Sequence, residues 1–199
     1  MVTHIVGGAL GLVTLVFCIL IPSFGGRVEG ILCGTVFGIS MTALYTMSSI
    51  YHGLRRNMAK KVFQIMDHCT IYFLIAGTYT PILVCSVAKE YPVAAWGTFA
   101  LVWGLAVVAI TLTAIDLRKF KTFGMICYIG MGWAVVFSMP QTYLSLGHKG
   151  FMLVLLGGIL YTLGVFFFMA KKRYFHSIFH IFVVLGSLCH SLAVMFYVV

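Results

Sequence analysis

The residues best able to do chemistry are a few histidines, one aspartate and one serine, set in an otherwise apolar chain. His176 and His180 stand four apart, so on a helix they share a face and can aim two imidazoles at one ion. His52 can supply a third from a separate element, and three histidines with an open position suit a zinc ion that activates water. Asp67 lies one turn inside an apolar run, where a free carboxylate is expensive. It is therefore expected beside that centre, orienting or deprotonating a water or supporting a ligand histidine. The plainer alternative is a polar packing network or a proton relay, because histidines near helix ends also cap helices and bond carbonyls.

Helical spacing groups these residues. At about 100° per residue, Tyr45, Ser48 and Ser49 fall within roughly 60° of His52, a polar stripe on one face. His176, His180, Ser187, His190 and Ser191 fall within about 100° of arc on another helix. His68 is about 100° round from Asp67 and need not share its face. His190 lies roughly 15 Å along the helix from His180, which makes it a cavity or network residue more than a ligand. His4 is expected to line the entrance, and His148 is read as a loop residue. Tyr79 and Thr80, just before Pro81, are expected to shape a kinked helix and not to react.

The elements that must position these groups are transmembrane helices. Of 199 residues, 62% are apolar and 9% charged, and the mean hydropathy is +1.09. Soluble domains carry about 25% charged residues, so hydrocarbon must replace water over most of the exterior. One domain over residues 1–199 is expected, a seven-helix transmembrane bundle. Its spans are read at about 3–21, 29–52, 64–87, 92–115, 122–139, 150–170 and 174–199, each long enough to cross about 30 Å. Of the thirteen Lys and Arg, ten fall in the loops after spans two, four and six and three on the other side. That bias places the N-terminus in the cytoplasm and, with seven spans, the C-terminus outside. It also sets His52, Asp67 and His176 in one leaflet.

The net charge of +9 does not indicate nucleic acid, since the basic residues form short clusters between apolar runs and suit anionic headgroups. The six cysteines lie inside apolar runs without a CxxC pair and read as core residues. The opening lacks a basic n-region and a small-x-small cleavage signal, and reads as a retained helix. Glycines in GGALG and GTVFG and at Gly157–Gly158 permit close helix contact.

Three segments carry a family resemblance: SSIYH (48–52), DHCTIYFLIAGTYTP (67–81) and HSIFHIFVVLGSLCH (176–190). GMGW (130–133) and GGILYTLG (157–164) add to it. Together they resemble the bacterial hemolysin III family, within the progestin and adiponectin receptor superfamily, over nearly the whole chain. The resemblance implies a seven-helix fold with an intramembrane zinc held by His52, His176 and His180. Asp67 would lie beside a zinc-associated water, with Ser48 in the same region. It further implies a multi-pass protein of the bacterial inner membrane. The leading expectation is a zinc-dependent hydrolase of lipid amides or esters, with Asp67 as proton acceptor and a ceramide-like or acyl-lipid substrate. The alternatives are a non-enzymatic sensor of lipid homeostasis and a pore-forming hemolysin.

Overall fold

A computed structural model describes residues 2–170 and 175–199, and leaves the side chains of Val2 and His176 outside that description. The chain is all helical. Its elements are α1 (Val2–Phe24), α2 (Val28–Gly53), α3 (Met58–Pro81), a π-helical turn (Ile82–Val87), α4 (Ala88–Glu90), α5 (Pro92–Ile115), α6 (Lys121–Gly132), a 3-10 turn (Ala134–Ser138), α7 (Met139–Met169) and α8 (Phe175–Tyr197). Local chemistry sets several ends. Asn57 caps α3 by accepting the Lys60 N–H at 2.9 Å. The second half of the basic stretch before the third span, residues 58–61, is thus helical, and the loop ahead of it shrinks to 54–57. Asp116 accepts the N–H groups of Arg118 and Lys119 at 3.0 Å in the turn after α5.

The helix count corrects the expected architecture. Six helical segments among the described residues, not seven, are long and apolar enough to cross a membrane. The difference lies in the fifth and sixth expected spans, which fall in one run of 49 residues, Lys121–Met169. The stretch around Pro140 reads as a turn in the sequence. In the structure Pro140 occupies the first turn of α7, where its missing N–H is no loss, and the helix starts there. Only Gly147 leaves helical geometry, at φ 67° and ψ 173°, a conformation that glycine adopts without a Cβ penalty. The placement of the termini on opposite sides rested on an odd count and falls with it. His148, expected in a loop, is exposed on α7 directly after this break.

Packing follows α1 on α2, α2 on α3, α3 on α5 and α7 on α8, and α8 returns to α1. One core joins Phe37, Met41 and Leu44 of α2 to Leu74 of α3 and Ala193 and Val194 of α8. Another joins Tyr72, Ala76 and Tyr79 of α3 to Val102, Ala106 and Ala109 of α5 and Met131 of α6. Helix α3 thus belongs to both. The outer surface is apolar, with Phe24, Val107, Phe166 and Phe196 each more than half exposed, as a lipid-facing surface requires. Pro81 ends α3, and the π-turn follows where the ring interrupts the regular ladder. Tyr79 acts as a latch: its hydroxyl donates to the Gly132 carbonyl at 2.9 Å and accepts the Val135 N–H at 2.7 Å.

The GTVFG pair lets α1 and α2 meet backbone to backbone. A Cβ at Gly34 would lie 2.7 Å from the Cys18 carbonyl oxygen, and one at Gly38 would lie 2.6 Å from Leu15 Cα. Gly38→Ala is therefore expected to lower stability by about 1–3 kcal/mol through overpacking. Gly104→Ala, with open space beside it, should not. Thermal unfolding of both variants in the same detergent checks the contrast.

Candidate metal centre

Three helix ends bring the histidines together. His4 sits in the first turn of α1, His52 in the last turn of α2 and His180 near the start of α8. The His4 ring stacks on His52 with centroids 5.2 Å apart and planes 17° from parallel. It meets His180 edge-on at 4.0 Å, and His52 and His180 lie 5.5 Å apart. One ring nitrogen from each of the three lies within 4.8 Å of the others. His4 is buried, while His52 and His180 are half-buried. Three imidazoles converging in this way could hold a metal ion. The expected ligands His52 and His180 are thus neighbours, whereas the side chain of His176 lies outside the described residues.

The cluster opens on a cavity of about 540 Å³ that also receives Ser48, Asp67 and His68. Helix α2 delivers Ser48 one turn before His52, and α3 delivers Asp67 from its third turn. Ser48 is buried and lines the same cavity as the Asp67 side chain. Of the expected stripe on α2, Tyr45 and Ser48 face the cavity and Ser49 does not line it. His68 lines the cavity too, although its Nδ1 is engaged with the Gln64 carbonyl at 2.8 Å. The walls are mostly apolar, as the pocket of an amphipathic ligand should be.

A deeper polar group lies at the far end. Ser187 Oγ is 2.8 Å from the Tyr45 hydroxyl and 2.7 Å from that of Tyr161. His190 stands beside Tyr161, and Thr14 bonds Ser191 at 2.9 Å to tie α1 to α8. Ser187, His190 and Ser191 were expected to share an arc. Tyr161 was not expected, since an aromatic residue inside the apolar run of α7 looks like bulk.

This arrangement can be set beside known proteins. The family description "Haemolysin-III related" matches residues 1–191. The chain belongs to that family. Within it, the chain is 37% identical to Hemolysin-3 of Bacillus cereus, over 99% of this chain and 89% of the relative. It is 36% identical to the Hemolysin-3 homolog of Bacillus subtilis (strain 168), over 100% of this chain and 92% of that one. A more distant relative is the monocyte to macrophage differentiation factor of Homo sapiens, 27% identical over 80% of this chain and 67% of its own. No solved structure matches the chain. The family assignment and the long apolar helices together make this a multi-pass helical membrane protein.

Proposed function

We propose that this haemolysin-III-related protein is a zinc-dependent hydrolase acting within the membrane on an amide or ester of a ceramide-like or acyl lipid. The observation that carries the reading is one apolar cavity onto which three clustered imidazoles, a carboxyl group and a serine all open. When bound, zinc supplies Lewis acidity to a carbonyl and to water. Asp67 accepts the proton that water gives up, and Ser48 holds the carboxyl group in place. The apolar walls take the acyl chains and keep bulk water from the reacting linkage. The test is product release from ceramide and acyl-lipid panels in nanodiscs, measured beside zinc content.

The ligands in this reading are His52, His180 and His176, the last because it is one turn from His180 on the same helix. A second ligand set, His4 with His52 and His180, is favoured by their convergence within 4.8 Å. Zinc content of the purified variants decides between them. His176→Ala should lose most of the metal and His4→Ala should keep it; the reverse result assigns the third position to His4. The name of the Bacillus relatives suggests lysis, and dye release from vesicles by the purified chain tests for a pore.

A further inference from the structure

At the deep end of the cavity, the hydrogen-bonding groups are left with one acceptor and one donor to spare. His190 is only 8% exposed, and its Nε2 lies 3.0 Å from the Val154 carbonyl oxygen. A carbonyl only accepts, so Nε2 holds the ring's proton and Nδ1 presents a lone pair. Nδ1 is buried without a hydrogen-bond partner. A Cβ at Gly157 would collide with Nε2 and Cδ2, so that edge of the ring lies against α7 and Nδ1 is on the side turned away. His190 lines the large cavity and a smaller one of about 40 Å³ that shares several of its walls.

The neighbouring hydroxyls supply the counterpart. Tyr45, Ser187 and Tyr161 bring three protons to their chain, and its two hydrogen bonds use two. One O–H remains to donate, beside one imidazole lone pair that remains to accept. A ketone or an ester could use only the donor, and an ammonium group only the acceptor. An alcohol hydroxyl uses both. The cavity is otherwise mostly apolar, with Ile71, Leu74 and Val183 among its lining residues. His190 lies ten residues beyond His180 on α8, roughly 15 Å along the axis, which is mid-chain for an acyl group whose linkage sits at the cluster.

We propose that the deep end of the cavity binds the mid-chain hydroxyl of a hydroxylated acyl lipid, with His190 Nδ1 accepting its proton and the Tyr45–Ser187–Tyr161 chain donating to its oxygen. The proposal rests on reading the cavity as an acyl-lipid site, and it does not require turnover.

The experiment measures equilibrium binding to the full chain in nanodiscs by competition against a fluorescent acyl probe. The competitors are octadecanoic acid and the same acid carrying a mid-chain hydroxyl. The hydroxylated acid should bind about tenfold tighter, the worth of one net hydrogen bond. That preference, read as the ratio of the two affinities within each variant, should vanish in His190→Leu and shrink in Tyr161→Phe. Equal affinity of the wild type for the two acids, as when a water satisfies Nδ1, overturns the proposal. So does binding of neither acid, or a preference that survives in both variants. Because the readout is binding, a chain that prefers the hydroxylated acid yet hydrolyses no lipid sinks the hydrolase reading and leaves this one standing.

Discussion

Asp67→Asn is expected to retain zinc and lose between about a hundredfold and ten-thousandfold in turnover of the preferred lipid, the usual contribution of a positioned proton acceptor. The amide keeps the size of the carboxyl group, but it cannot take a proton from water. The loss should therefore fall on kcat, with KM little changed, because the acyl chains and the cavity walls are untouched. Ser48→Ala should show a smaller loss of the same kind, since it frees the carboxyl group without removing it. The measurement pairs zinc content with product release in nanodiscs. Unchanged turnover in zinc-loaded Asp67→Asn would eliminate Asp67 as the base. Loss of zinc in that variant would instead make the carboxylate a fourth ligand and the metal a structural one. If the folded, zinc-loaded wild type released no product from any lipid in the panel, the sensor reading would take precedence.

The other large effect concerns the metal itself. His52→Ala combined with His180→Ala removes two of the three clustered imidazoles, and zinc should fall from about one per chain to a trace. A metal that binds only the folded chain stabilises it through mass action, by about 4 kcal/mol at a thousandfold excess over Kd. Chelation should accordingly lower the Tm of the wild type and leave that of the double variant unmoved. Because α2 and α8 each contribute a ring, the stabilisation ties these two helices together at one end of the bundle. Stoichiometric zinc in the double variant would refute the assignment.

Helical spacing and the charge of the loops brought His52, Asp67 and His180 together in the sequence reading, and the three do line one cavity. A polar group in an apolar helix has few places to go except the bundle interior, so its face can be read from a single chain. The helix count was not readable in the same way. Pro140 and Gly147 look like punctuation, yet the first sits where a helix tolerates proline and the second bends the chain at one residue. His4 carried too little signal for its place in the cluster to be seen. Its approach to His52 depends on how closely α1 leans on α2, and that is set by Gly7, whose missing Cβ leaves room for the Tyr45 ring. Tyr161 was hidden for a related reason: its partner Ser187 is on another helix, and only the packing of α7 on α8 brings the two hydroxyls together.

The cluster draws on both ends of the chain, His4 from α1 and His180 from α8, and the Thr14–Ser191 bond joins the same two helices across 177 positions. During synthesis α1 leaves the ribosome first and α8 last. An arrested or truncated chain would hold His4 and His52 with nothing to complete the set, and the buried hydroxyl of Thr14 would lack its acceptor. Assembly of the centre thus waits until α1 and α8 have met in the membrane.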